Sequence, residues 1–290
     1  RFSILFGEIH AVEKEVDMHI IAGDIFDSLP IMEELELYFN FISKCSIETL
    51  IIPGNHEALK KDSTFLSSLK QVTSQLNPLV RIIDDFETYK GIDFIPYNKL
   101  KEWAKTPEVF TATSKYLVSH FRAEIPPHVK PEVDLTLFEQ WETVLAGDLH
   151  SYENSQLNIL YPGSPITTSF HRSIATTGVI IFDTSTSAHT WVALEVPQLV
   201  RKTVGVNDPK PQTPYHHTVY EVEGNLEELS KMEDSALVDK KISRKSSEAA
   251  LILAKEMTLV EEVKEYLTYI LELPDNTIEN VLLEMQSNIT

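Results

Sequence analysis

Apolar and polar positions along this chain fall into two recurring patterns. In the first, a short apolar run stops at a residue that can hold a metal: IIA before Gly23-Asp24, LIIP before Gly54-Asn55-His56, YLV before Ser119-His120, and VLA before Gly147-Asp148-Leu149-His150. Such runs, bounded by glycine or by helical stretches, predict buried parallel strands. Ligands of open α/β sheets bind just beyond the carboxyl ends of parallel strands, so all the polar clusters are expected on one edge. In the second pattern, apolar residues recur at spacings of three and four. Phe2, Leu5, Ile9, Val12 and Val16 form such a stripe and predict a helix over residues 2–16, because a strand would alternate. Leu35, Tyr38, Phe39 and Ile42, then Phe65, Leu66 and Leu69, predict helices that cover the strands.

The pattern changes after residue 197. Pro197, Pro209, Pro211 and Pro214 punctuate a stretch poor in apolar clusters, which reads as a linker over 198–214. HTVYEVEG then alternates as a strand, NLEELSKM reads as a short helix and SALVDKKI as another strand, giving a small α/β cap over 215–245. From 246 the spacing turns helical. Leu253, Met257, Val260, Lys264, Leu267 and Leu271 share one face, LPDN interrupts it, and Thr277 to Ile289 resumes it.

The residues gathered at the strand ends are Asp, Asn and His without cysteine. This oxygen and nitrogen set suits manganese, magnesium, iron or zinc. Two such ions a few ångströms apart can clamp a phosphodiester and activate water between them, so a dinuclear phosphoryl-transfer site is expected. A single Gly-Asp at a strand end is ordinarily a turn; the order and placement of all the clusters carry the inference.

GDIFD, GNHE, the strand-end His120 and a Gly-x-x-His element, in this order, resemble the calcineurin-like metallophosphoesterase superfamily over roughly the first 195 residues. FIPY at Phe94 to Tyr97, and YPGSP at Tyr161 to Pro165 followed by GVIIFDT, narrow the resemblance to the SbcD-type nuclease subunit of complexes that process DNA breaks, including phage versions. The resemblance implies a four-layer αββα sandwich over 1–197, then the cap, then a helical segment over 246–290 that docks on the coiled coil of an SbcC-type ATPase subunit. It further implies that Asp24 bridges two divalent ions, most simply manganese with magnesium as the alternative. Asn55, His120 and Asp148 would complete one site and His150 the other. His56 would orient the phosphate and protonate the leaving oxygen, with Asp27 and Glu57 as acceptors that orient these groups.

Two features depart from that pattern. The family opens with a strand ending in Asp-x-His, and Glu8-Ile9-His10 lies instead on the helical stripe, so that strand is expected upstream of Arg1. Asp148 stands where the family has a histidine, which makes the site one unit more negative and favours harder ions than zinc.

Length, charge and cysteine count add limits. A chain of 290 residues with 42% apolar content has room for about two domains. It has no run long enough to cross a bilayer, and a single cysteine, Cys45, expected as a buried small hydrophobe in a reducing bacterial or phage-infected host cytoplasm. The net charge of −19 opposes non-specific DNA binding, so DNA is expected to bind productively only with metal and a more basic partner. The helices after the GDIFD and GNHE elements build a dimer interface in the family, and a homodimer is expected. His19, His128, His216 and His217 lack the strand-end context and read as structural; His171 and Arg172 could reach a substrate groove. The competing readings are a phosphodiesterase for small esters and a non-catalytic scaffold that has lost part of its metal site.

Overall fold

In a computed structural model of the chain, the residues described are 1–60, 63–127, 129–213, 216–242, 257–271 and 273–289. The opening apolar stripe is helix α1 (Phe2–Val12), whose Leu5 packs with Ile166, Leu194 and Val196, while Phe6 and Ile9 also join the core over the first sheet. Next come β1 (Met18–Ala22), α2 (Met32–Lys44), β2 (Glu48–Ile52) and a small hairpin of β3 (Ala58–Lys60) and β4 (Ser63–Thr64). Thr64 then caps α3 (Phe65–Leu76) by accepting from Ser67 N at 3.1 Å, satisfying one of the orphan donors of that first turn.

The chain continues through β5 (Val80–Ile82), β6 (Glu87–Tyr89), β7 (Ile92–Ile95), α4 (Tyr97–Lys105), β8 (Tyr116–His120), β9 (Thr143–Gly147) and β10 (Ile159–Leu160). Two sheets result. One has the order β1-β2-β5 and is wholly parallel; the other has the order β10-β9-β8-β7-β6, with only β6 antiparallel. Parallel strands demand cover on both faces, and the cores supply it. Leu50, Ile52, Phe94 and Val118 fill the space between the sheets. Tyr38, Phe41, Ile42, Leu66 and Leu69 press α2 and α3 onto the first sheet, and Leu100, Trp103, Phe138 and Trp141 close the outer face of the second. This is the αββα sandwich expected from the sequence. A hairpin of β11 (Gly178–Asp183) and β12 (Ala188–Ala193) follows it.

The described chain divides into two compact units, Arg1–Lys202 with Lys210–Val219, and Thr203–Pro209 with Tyr220–Thr290. Residues expected as a linker contain β13 (Leu199–Gly205), which pairs with β14 (His217–Gly224) in a three-stranded sheet completed by β15 (Val238–Ile242). Between β14 and β15, Asn225 and Glu228 form a reciprocal capping box on α5 (Leu226–Ser230), and Tyr220, Val222 and Leu229 make a small core. Farther on, α6 (Leu259–Glu265) runs into a wider π turn at Tyr266–Ile270, and α7 (Asp275–Ile289) follows. The helical reading of 246–256, Leu253 included, and His128 lie outside the described residues. Among the described residues no helix is long and apolar enough to cross a membrane.

Candidate metal centre

The parallel pairing aligns the strand ends. In the first sheet Ala22 lies opposite Ile52, and in the second His120 lies opposite Gly147, so the chain leaves all these strands on one edge. His120 then links the sheets: its Nδ1–H donates to the Ala22 carbonyl at 2.7 Å. That bond fixes which ring nitrogen points inward, in the manner of metal-binding histidines. The inward Nε2 lies 2.9 Å from Asn55 Oδ1, 3.3 Å from Asp24 Oδ2 and 3.7 Å from Asp148 Oδ1. Asp24, His120 and Asp148 thus offer ligand atoms within 4.8 Å of one another.

Backbone strain accompanies this convergence. Asp24 has φ +53° and Asp148 φ +97°, both in the left-handed region that residues with a Cβ seldom occupy. The glycines let the segments approach. A Cβ on Gly54 would collide with Asp24 Oδ1, and one on Gly147 with the Ala22 carbonyl oxygen. Glu57, 2% exposed, ties the two loops of the first sheet together by accepting from Gly54 N at 2.7 Å, Phe26 N at 2.9 Å and Asp24 N at 3.1 Å.

Electrostatically, the centre holds an excess of acceptors. Burial would push the His120 imidazolium toward its neutral form, yet its bonds to Asp148 and Asp24 raise its pKa to about 10. Burial works against the Asp24 carboxylate too, but His120 and the His56 backbone N–H hold it below the ordinary range. The Asn55 amide oxygen faces this same acceptor-rich space. Turned over, its nitrogen would sit 3.2 and 3.0 Å from the Asp24 oxygens and 3.3 Å from Asp148 Oδ1. A proton on His120 relieves the crowding of oxygens, and a divalent cation would relieve it further while letting the amide oxygen stay inward. The donor set therefore fits a hard or borderline divalent ion.

Other expected residues are placed less centrally. His56 is partly exposed; its backbone N–H donates to Asp24 Oδ1 at 3.0 Å, its Nε2 lies 4.0 Å from Asp24 Oδ2, and its Nδ1–H donates to the Asp27 carbonyl at 2.5 Å. That carbonyl, the largest influence, together with the Asp24 charge raises the His56 pKa despite burial. Asp27 therefore acts on His56 chiefly through its main chain, its carboxylate being exposed and 3.6 Å away. Glu57 organises backbone and acts on His56 only through its charge, a minor influence beside the Asp27 carbonyl; burial raises the Glu57 pKa in spite of the N–H donors. His150 is exposed, outside the three-residue cluster, and lies 3.1 Å from Thr168 Oγ1 through Nδ1. His171 is paired with Ser169 Oγ at 3.2 Å. Sequence reasoning missed Tyr97, whose ring meets His120 edge-on at 5.9 Å while its hydroxyl donates to Glu132 at 3.0 Å. FIPY marked the residue without revealing that contact.

A second group able to hold a metal, His10, Glu13 and Cys45, lies near the start of β1. Five residues at 3.3 Å each separate His19 of that end from Asp24, roughly 16 Å, so the two groups share no ligand.

Comparison with known proteins agrees with this geometry. Over 278 residues the chain is 38% identical to the probable exonuclease subunit 1 of Escherichia phage T5, covering 92% of this chain and 83% of that one. It is 29% identical to the DNA double-strand break repair proteins Mre11 of Methanosarcina mazei, over 171 residues, and Methanosarcina acetivorans, over 157 residues. Those matches cover 53% and 49% of this chain and only 27% and 25% of the archaeal proteins. The model of the calcineurin-like phosphoesterase family matches residues 2–157, which include every strand-end ligand described above. The chain belongs to the calcineurin-like phosphoesterase family.

Proposed function

We propose that this chain is the metal-dependent nuclease subunit of a DNA-processing complex, hydrolysing phosphodiesters with two divalent ions bound around Asp24. The observation that carries this reading is the convergence of Asp24, Asn55, His120 and Asp148 on one acceptor-rich point. Asp24 would bridge the ions, with Asn55, His120 and Asp148 on one and His150 turning toward the other. Manganese fits best, with magnesium second, because Asp148 adds a hard anionic ligand. Bound there, the ions would supply Lewis acidity to the phosphodiester and acidify the attacking water.

The chain's own residues supply orientation and a proton. His120 is held ready by the Ala22 carbonyl, and Glu57 fixes the loops that carry Asp24 and Asn55. His56, at the rim and raised in pKa, is a donor able to protonate the leaving oxygen near neutral pH.

DNA, an ATPase partner and self-association belong to the same proposal. The relative from phage T5 is named an exonuclease subunit, which supports a multiprotein complex. Leu259, Tyr269, Leu271 and Leu283 are exposed on the C-terminal helices, supporting residues 246–290 as the surface for an SbcC-type coiled coil. Exposed Val72 and Leu76 of α3, which line a groove with Phe39 of α2, and exposed Met32 at the start of α2 support a homodimer. A cytoplasmic setting follows from the DNA substrate.

Manganese-dependent cleavage of linear duplex DNA, with His56→Ala as control, tests the reading. Cleavage lost by a factor on the order of 10² to 10⁴ in the control is the expected outcome. Hydrolysis of a nitrophenyl phosphodiester without cleavage of DNA would favour the small-ester enzyme, and no manganese bound would favour the scaffold.

A further inference from the structure

The end of β1 remote from Asp24 carries a cluster that the phosphodiesterase reading leaves unused. His10 comes from the last turn of α1, Glu13 from the turn that follows, His19 from β1 and Cys45 from the C-cap of α2. Glu13 is 2% and Cys45 4% exposed, in a region where an acid is expected only with partners. Its two oxygens meet different histidines, Oε2 at 3.0 Å from His10 Nδ1 and Oε1 at 3.1 Å from His19 Nδ1. Ser46 N and Oγ each lie 3.4 Å from Oε2. Phe41 closes the site, stacked on His10 at 5.3 Å and edge-on to His19 at 6.2 Å.

One feature exceeds what a hydrogen-bonded acid needs. A thiol is set among these groups, with a ligand atom from each of His10, Glu13 and Cys45 lying within 4.8 Å of the others. Sulfur, imidazole and carboxylate together form the donor set of a borderline ion, in contrast to the sulfur-free set at Asp24.

We propose that His10, Glu13 and Cys45 bind a zinc-class divalent ion, with His19 holding the second Glu13 oxygen in place. Such an ion would tie α1, β1 and α2 together at the end of the sheet opposite the phosphodiesterase centre. Binding forms a metal–sulfur bond and breaks the Cys45 S–H bond, the proton leaving to solvent. Affinity therefore falls as pH falls. The proposal does not depend on the substrate of the other centre.

Cobalt(II) titration of the full chain tests it. Cys45 is the sole cysteine of the sequence, so a thiolate-to-cobalt charge-transfer band can arise only there. The band is expected to saturate at the intensity of one thiolate-bound cobalt per chain, to persist in His120→Ala, and to vanish in Cys45→Ser. His10→Ala and Glu13→Gln, which keep the thiol, should weaken cobalt binding at this band by about 10- to 100-fold. These two variants also keep the test decisive should Cys45→Ser fail to fold. Cobalt bound with no charge-transfer band overturns the proposal. So does a band that both variants leave unchanged, since that would be a thiol binding cobalt without the cluster.

Discussion

Two carboxylates of the same sandwich, the half-buried Asp24 and the fully buried Asp93, have their pKa values lowered by opposite means. Asp93 lies in β7, fully buried, and its oxygens accept five hydrogen bonds. Thr88 Oγ1 at 2.6 Å and Thr113 Oγ1 at 2.7 Å reach one oxygen; Thr113 N, Ser114 N and Trp141 Nε1 reach the other at 2.9, 3.1 and 2.8 Å. Burial alone would raise this acid, and the neutral donors outweigh it. At Asp24 the countervailing influence is chiefly an imidazolium, with another carboxylate and an amide oxygen close by. A buried acid surrounded by donors is a finished structural unit. One that has few fixed donors and shares its space with other acceptors leans on a positive charge, here the His120 imidazolium, and that distinction, more than burial, separates a ligand site from a scaffold element.

The strongest way to break the comparison is to remove each acid. Asp24→Ala is expected to reduce metal-dependent phosphodiester hydrolysis on the order of 10³-fold while costing the metal-free protein only about 1 kcal/mol, the loss of its contacts with His120 and the His56 N–H. Asp93→Ala should do the reverse, costing about 3 kcal/mol by stranding buried donors and leaving manganese affinity of the folded fraction intact. Thermal melts and metal titrations of both variants decide it; equal destabilisation would show that Asp24 is structural after all.

Protonation sharpens the contrast. The folded-state pKa of Asp93 lies below its unfolded value, near 3.9. Its ionisation therefore contributes stability that is complete above about pH 4 and is lost as pH falls through the folded value. Urea unfolding of wild type and Asp93→Asn should show a stability gap that narrows between pH 7 and pH 3. A gap independent of pH would mean that the donors do not discriminate the charged form.

Sequence reading reached the two acids unequally for the same physical reason. Asp24 follows an apolar run and is flanked by Gly23, so a local pattern announces a strand end, and Asn55, His120 and Asp148 announce themselves in the same way. The α1 stripe was legible because helical spacing is local too. Asp93 sits inside IDFI, where an acid looks like an interruption, and its indole donor arrives from Trp141, far along the chain. The role of Glu57 was hidden similarly, since two of its three backbone donors belong to the GDIFD loop. Strand β13 escaped notice because the prolines nearby suggested a linker, whereas its pairing partner β14 begins a dozen residues later. The π turn at Tyr266–Ile270 shifts the phase of the last apolar stripe, leaving Leu267 buried and Leu271 exposed.

The smallest expected effect probes one donor. Trp141 is 2% exposed and packs 5.7 Å from Trp103 between ring centroids, so Trp141→Phe keeps much of the apolar contact and deletes only the N–H facing Asp93. Four donors remain, and the expected loss is about 1 kcal/mol of stability, read from the urea midpoint, with manganese affinity unchanged. Asn55→Ala is its counterpart at the other acid, deleting an amide whose oxygen has no donor but protonated His120. Stability should then barely change while manganese affinity falls about tenfold or more. If Trp141→Phe lowered manganese affinity as Asn55→Ala does, the two acids would belong to one coupled network, and donor count would no longer tell scaffold from site.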